Sequence, residues 1–478
     1  MQEKPDNKIP LSTEREKLFE LLLQNKGISL PSREAITRSL GPRQLSYGQE
    51  SLWHSQQTTP GCSFHNVAAV VRLQGELNVH GVVAALNETA RRHEILRTSF
   101  PSVEGKASAS LHPNPALRPW IIDLTKLSEG GRARAAKEIV SQQAAKPFHL
   151  SEVPLIRFLL LAVGLKHHLL VLAMHHMVGD GLSVAVLVTE LTKLYATYGR
   201  GDPSSLEELQ IQYCDYAAWQ RHRTEGKRLD SEVQYWRTTL GRALDKLTAD
   251  ANVLTGARRP RLSAVDIEVS DELLKGIREV MRLEALTMFM VLLGGFVALL
   301  SSYGGESILV GSPIDFRPGS GSEDLIGFFV NIAALRIDLA GLKTYKHLFS
   351  KVKEVALGAF SHQDVPFDRL LAELDPSTSL NRPPAFPAML SMRSMLPGEL
   401  AAGNLKVTVD SLHERTAEFD LMLVMEERTD GLRGRVEYNA ALFDAEKIKR
   451  MTGRFKSILR SIVDDRDGSL SGLRLLNR

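Results

Sequence analysis

The chain has 478 residues, too many for one ordinary hydrophobic core and enough for two domains or a pair of lobes. A hydrophobic content of 43% is that of an ordinary globular protein, and a formal charge of +3 without any Lys/Arg run interleaved with aromatics argues against a nucleic-acid surface. Cys62 and Cys214 are too few for a disulfide framework and lack CxxC spacing, so a reducing cytoplasm is the expected compartment.

Residues 1–11 are polar with no apolar core of a signal peptide, and a disordered tail is expected there. Thr13 and Glu16 have capping-box spacing, and Leu18, Leu21, Leu22 and Leu23 form an apolar face, which predicts a short helix stopped by Gly27. Residues 28–43 contain Pro31, Gly41 and Pro42 and read as a tether, so that 1–43 either docks an upstream protein or packs on its own domain. From Leu45 the pattern is α/β. Val67–Leu73 reads as a strand and Val79–His93 as a helix. Leu155–Val163 and His168–His175 are two apolar runs about a turn at Gly164, which predicts paired buried strands. Leu182–Tyr198 is a helix, and Leu206–Arg242 is a polar helical stretch carrying Tyr213, Tyr216, Trp219, Tyr235 and Trp236.

Thr248–Pro260 has no periodicity and reads as a linker, which divides the body into 44–247 and 248–478. Beyond it, Val265–Val269 is a strand and Asp271–Leu283 a helix. Ala285–Leu300 is the longest uncharged stretch; it falls short of the roughly 18–20 apolar residues of a membrane span and reads as a helix buried on all sides. Ser307–Gly311 is a strand. Leu405–Asp410, Leu421–Glu426 and Leu432–Tyr438 read as antiparallel strands, with Asp430-Gly431 as a hairpin turn. Each half thus reads as one α/β lobe.

The sharpest feature is Met174–Gly181, MHHMVGDG, between an apolar strand and a helix. Adjacent side chains on a strand face opposite sides, so His175 and His176 are poorly placed to share one metal, and no third ligand is evident. Three readings stand: a metal site, a structural histidine at a strand end, and acid/base or positioning work, to which an imidazole with a pKa of about 6.5 is suited. Gly179 and Gly181 permit a tight turn and close approach of a ligand to the backbone. Asp180, expected to be buried, needs a partner. His176 faces away from His175 and into a cleft. A second pair, His167-His168, has no Asp-Gly after it and reads as a polar strand start with no role.

HHMVGDG resembles the HHxxxDG signature of condensation domains of nonribosomal peptide synthetases, shared more loosely as HxxxDG with chloramphenicol acetyltransferase and plant acyltransferases. Leu45–Trp53 (LSYGQESLW), Arg92–Phe100 (RHEILRTSF), Tyr213–Gln220 (YCDYAAWQ), Ile326–Arg336 (IGFFVNIAALR) and His362–Asp368 (HQDVPFD) resemble the first, second, fourth, fifth and sixth core motifs, in family order. The resemblance covers about residues 45–475. It implies an α/β fold of two chloramphenicol-acetyltransferase-like lobes in a V-shaped pseudo-dimer with a central tunnel.

The same resemblance implies amide formation between a donor acyl or peptidyl thioester and the amine of an acceptor aminoacyl thioester. His176 matches the active-site histidine, and backbone N–H groups near Gly181 are the candidate oxyanion donors. His175 and Asp180 match structural positions, and Arg317 is the candidate partner of Asp180. Asn331, Gln363 and Ser312 are candidate tunnel-lining residues. The domain is expected to hold no cofactor or metal of its own. Donor and acceptor carrier proteins bring phosphopantetheine arms, and the closing LSGLRLLNR resembles a linker into an adenylation domain. An upstream module is a further expected partner, through the N-terminal helix; nucleic acid and membrane are not.

Several positions depart from the family pattern. Ser51 stands where arginine is usual, Gly179 where serine is common and Leu182 where tryptophan is common, and NRPPAFPAMLSM (381–392) matches the seventh motif poorly. The second, fourth and sixth motifs look closest to domains that join an L donor to an L acceptor. The rivals are a starter domain that takes a fatty-acyl donor, a free acyl-CoA-dependent acyltransferase, and a recruitment module of the same fold. The last generally lacks the histidine present here as His176.

Overall fold

The computed structural model describes residues 35–39, 41–113, 116–241, 243, 262–318, 321–374, 386–393, 398–414, 419–428 and 431–470. The helix expected over 13–27, most of its tether, the Thr248–Pro260 linker, Asp430 of the hairpin turn and the stretch after Leu470 lie outside these residues.

Helix α1 (Tyr47–Thr58) begins at a capping box: the Gln49 N–H donates to Ser46 Oγ and the Ser46 N–H to Gln49 Oε1. Strand β1 (Asn66–Gln74) and helix α2 (Val79–Arg92) follow. Then come two short pairs, β2 (Thr98–Ser99) with β5 (Ser110–Leu111) and β3 (Ser102–Val103) with β4 (Lys106–Ala107). Next are β6 (Trp120–Asp123), α3 (Glu129–Ala145), β7 (Ile156–Gly164), β8 (His167–His175) and α4 (Gly181–Tyr198). The single polar helix expected over 206–242 is two helices, α5 (Tyr213–Arg223) and α6 (Gly226–Leu240). The chain turns between them at Gly226, whose φ of 61° a glycine adopts without strain.

The second half contains β9 (Leu262–Val269), α7 (Asp271–Glu284), α8 (Met288–Ser301), β10 (Ser307–Asp315), β11 (Val330–Asp338), α9 (Tyr345–Ser361) and α10 (Phe367–Leu374). It closes with β12 (Met389–Arg393), β13 (Leu400–Ala402), β14 (Leu405–Glu414), β15 (Leu421–Arg428), β16 (Gly431–Asn439) and α11 (Ala445–Asp464).

Two six-stranded sheets carry the fold, in the orders β13-β14-β1-β8-β7-β6 and β11-β10-β12-β15-β16-β9. Strand alternation splits the faces of the first. Val70 packs with Ala136 and Val140 of α3, while Ala69 and Val71 join Leu86 of α2 and Leu187 of α4. In the second lobe α8 is buried nearly throughout, each of Leu292, Leu293 and Phe296 contributing about 1.5–3 kcal/mol by burial. Its two central glycines are steric necessities: a Cβ on Gly294 lies 2.7 Å from Phe349 of α9, and one on Gly295 lies 2.9 Å from Leu459 of α11. No single described helix is long and apolar enough to cross a membrane.

The three late strands do not form one antiparallel set. β15 and β16 pair antiparallel, but β14 crosses to the first lobe, where Val67 faces Glu414 and Gln74 faces Lys406 along β1. The division into 44–247 and 248–478 therefore needs correction: residues 400–414 of the second half complete the first lobe's sheet. Alternation marks a strand but not its partner, which the crossover decides.

Candidate active site

The site grows out of the end of β8. His175 is buried, and its Nδ1 accepts from the Met177 N–H at 3.0 Å. Burial, then the nearby His65 and His176, push its pKa well below the ordinary imidazole value, so it stays neutral. His176 points the other way. Its backbone N–H donates to His65 O at 2.7 Å, and its Nδ1 lies 3.1 Å from Gly179 O. A carbonyl only accepts, so in the neutral ring the proton sits on Nδ1 and Nε2 is the acceptor nitrogen. The Phe328 ring meets the imidazole edge-on, centroids 5.4 Å apart. A Cβ on Gly179 would press on the Met174 sulfur, and that buried side chain would have to shift.

Asp180 caps α4 and is saturated. Oδ1 accepts from the Ser183 N–H at 2.8 Å, from Ser183 Oγ at 2.7 Å and from Arg317 Nη2 at 3.2 Å; Oδ2 accepts from the Phe329 N–H at 3.0 Å. The pairing expected from sequence between Asp180 and Arg317 is thus present. Arg317 also donates through Nη1 to Ser322 O at 2.9 Å and Leu325 O at 2.7 Å, through Nε towards Asp315 at 3.3 Å, and lies 4.0 Å over the Phe329 ring. Although burial opposes its charge, Asp180 and Asp315 hold its pKa above the ordinary value.

Gly181 opens α4, so its amide belongs to the first turn, whose N–H groups have no intrahelical partner and carry the positive end of the helix dipole. Gly181 and His176 line one cavity of about 250 Å³ together with residues of both halves, among them His65, Asp315, Phe328 and Gln363. Asn331 also borders it, but its amide holds a loop: Nδ2 donates to Gln363 O at 3.0 Å and Oδ1 accepts from the Phe367 N–H at 2.9 Å. Ser312 stands apart from the other candidates. It is buried in β10 opposite Ala333, and the cavity wall on this strand begins one residue later, at Pro313.

Some residues that the motifs contain are given no role from sequence. Tyr213 Oη donates to Phe328 O at 2.5 Å and lies 2.9 Å from Ser46 Oγ, tying α1, α5 and the second half together. Burial pushes its phenol pKa up, so it remains a donor. Gly327 sits against that ring, and a Cβ there would overlap it. Other motif residues build the frame rather than the cavity. Arg92 and His93 both bind the buried Glu190 of α4, at 3.1 and 3.0 Å, and His362 stacks on Tyr235 at 3.6 Å. Burial raises the Glu190 pKa, but His93 and Arg92 outweigh it and keep the carboxylate below its ordinary value. Among the described residues no group of three His, Cys, Asp or Glu is placed to hold a metal ion.

The model of one family, described as Condensation domain, matches residues 42–478. A component of the linear gramicidin synthase of Brevibacillus parabrevis is 34% identical over 91% of this chain, and phosphinothricin tripeptide synthetase PhsC of Streptomyces viridochromogenes 33% identical over 98%. The chain spans only 9% of the first and 44% of the second. Among solved structures, the first condensation domain of the calcium-dependent antibiotic synthetase, in complex with a substrate analogue, superposes with a TM-score of 0.74 at 18% identity, covering 91% of this chain and 99% of that one. The X-domain from teicoplanin biosynthesis superposes with 0.75 at 23%, covering 92% and 99%. At these identities both likenesses speak for the fold alone, and the fold they share is that of two acetyltransferase-like lobes.

Proposed function

The chain belongs to the condensation-domain family, whose members are peptide-bond-forming acyltransferases, and from that premise we propose that it joins a donor acyl or peptidyl thioester to the amine of an acceptor aminoacyl thioester. The observation that carries this reading is His176: it lines a cavity shared by both lobes, with its Nδ1 proton directed to Gly179 O and Nε2 left as the acceptor nitrogen. Both substrates are proposed to arrive on phosphopantetheine arms of carrier proteins, with an adenylation domain adjoining. Relatives many times longer than this chain are consistent with that setting.

The acceptor nitrogen attacks the thioester carbonyl, a C–N bond forms, the C–S bond breaks, and the thiolate leaves on the donor arm. An α-amine with a pKa of about 7.7–8.0 is partly neutral at pH 7, so full deprotonation by a base before attack is unnecessary. Attack makes the nitrogen strongly acidic, and Nε2 of His176 is the group proposed to take its proton or hold it in line. Alignment alone supplies up to roughly 7–11 kcal/mol in favourable systems. The first-turn amides at Gly181 are the proposed oxyanion donors. Asp180, Ser183 and Arg317 touch one another and fix this turn; they position His176 and Gly181.

An L donor and an L acceptor are the proposed substrates, supported by the sequences of 92–100, 213–220 and 362–368. The test is intact-protein mass spectrometry with one carrier loaded with L-aminoacyl, D-aminoacyl or fatty-acyl donors and a second with an aminoacyl acceptor. The expected result is a mass gain on the acceptor carrier from the L donor, reduced at least about 100-fold in His176→Ala, the scale of a lost general base. Preference for the fatty-acyl donor reassigns the chain to a starter domain. Consumption of free acyl-CoA without carrier transfer reassigns it to a free acyltransferase.

A further inference from the structure

Arg317 brings one positive charge to two carboxylates. Its Nη2 is committed to Asp180, which is 1% exposed, and its Nη1 to two backbone carbonyls. Asp315 receives only the Nε contact, at 3.3 Å, its sole ion pair among the described residues. Its side chain is 30% exposed, into the cavity that His176 lines. The cluster therefore carries one net negative charge, and the carboxylate that bears the excess is the one a substrate meets.

Among the described residues, none of the other charged groups on the cavity wall forms an ion pair with Asp315. From α5, Tyr216 faces it with a phenol whose pKa burial raises well above the ordinary value, so it is neutral. On the cavity wall, Asp364 is held by Arg223 at 3.1 Å and Arg228 at 2.5 Å. His65 and His176 line the wall as well, and the Asp368 carboxylate and the Arg393 guanidinium border it from α10 and β12. Burial of Asp315, opposed by Arg317 and reinforced by Asp180, pushes its carboxyl pKa up to about 6. It thus ionises just below neutrality, where an ammonium ion is its natural counter-charge.

We propose that Asp315 is the acceptor-recognition residue of this cavity, binding the protonated α-amine of the incoming aminoacyl group by an ion pair. The assignment rests on the condensation reading of the same cavity and deepens it: the acceptor is held first as an ammonium ion, which gives up one proton to the Asp315 carboxylate or to water before the neutral amine attacks, and it is selected by charge over an uncharged isostere. A side-chain ammonium of a basic acceptor offers the same chemistry, and the test separates the two sources.

The experiment is calorimetric binding of three non-hydrolysable, amide-linked pantetheine ligands to the whole chain, wild type and Asp315→Asn. One ligand carries an α-amine and a neutral side chain. The second is its α-hydroxy twin. The third has an α-hydroxyl and a terminal amine on its side chain. At pH 7 the wild type is expected to bind the α-amine ligand at least about 10-fold more tightly than its twin, a difference of about 1.4 kcal/mol. Asp315→Asn abolishes that preference and leaves the affinity for the twin unchanged, and at pH 5 the wild type loses it too. The proposal is overturned by an α-amine preference that survives in Asp315→Asn, by its absence from the wild type, or by a preference confined to the side-chain amine. Melting curves of both proteins guard against misfolding. Because binding is read without turnover, a failure of the carrier assay above counts against the condensation reading and leaves this result standing.

Discussion

At the scale of single residues, the chemistry is set by which nitrogen or oxygen is already spoken for. His176 differs from His175 in one respect that matters: its Nδ1 is turned to a carbonyl, whereas the Nδ1 of His175 accepts from a backbone amide. Asp180 and Arg317 are both buried, and removing either leaves the other without its charge partner. Arg317→Ala is expected to lower stability by about 3–5 kcal/mol, measured by chemical denaturation, because it leaves the buried Asp180 side chain without its ion-pair partner. Asp315 makes stability depend on pH. Its folded pKa is raised from 3.8 to about 6, so its contribution to stability is present below the unfolded value and is lost as pH rises through 6. Relative to Asp315→Asn, the wild type is therefore expected to melt progressively lower between pH 4 and 7. A gap that closes over that range would mean that the Arg317 contact outweighs burial.

At the scale of elements, the turn after β8 is held from three directions. Helix α4 caps itself on Asp180, the 327–329 segment donates and accepts around Ser183 and Asp180, and Tyr213 of α5 ties Phe328 to Ser46 at the start of α1. Gly327 lets these approach. Gly327→Ala forces a methyl against the Tyr213 ring, and overpacking of this kind costs about 1–3 kcal/mol. The expected outcome is a lower melting temperature together with weaker condensation, since Phe328 also packs on His176. Ser46→Ala removes both the α1 cap and the Tyr213 contact and is expected to cost about 1 kcal/mol, the usual value of a cap, by the same melting assay.

At the scale of the whole molecule, the lobes are joined by chain exchange as well as by contact. β14 leaves the second lobe to pair along the whole length of β1, whose residues are almost all buried. A fragment ending before Leu400 would bare that edge. It is expected to aggregate where the intact chain stays monodisperse, measured by light scattering after expression, because an uncovered apolar strand edge templates pairing with other chains. A soluble, folded fragment would show that β13 and β14 are accessory to the first lobe.

Much was legible in the sequence, and for a common reason. β1, β7, β8 and α4 follow from apolar runs and alternation, which are local properties of the chain, and the MHHMVGDG turn follows from residue types that no neighbour can alter. The charge on Asp180 likewise required a partner, and Arg317 was within the vocabulary of the sequence. Other features needed the tertiary structure. β14 has the alternation of an ordinary strand, yet which sheet it joins depends on long-range pairing. Ser312 and Asp315 sit three residues apart on one strand, and only the packing of β10 decides that the first is buried while the second faces the cavity. The unshared charge of Asp315 is the sharpest case: it depends on how one guanidinium is divided among two carboxylates and two carbonyls, and distances between atoms far apart in the chain determine that division.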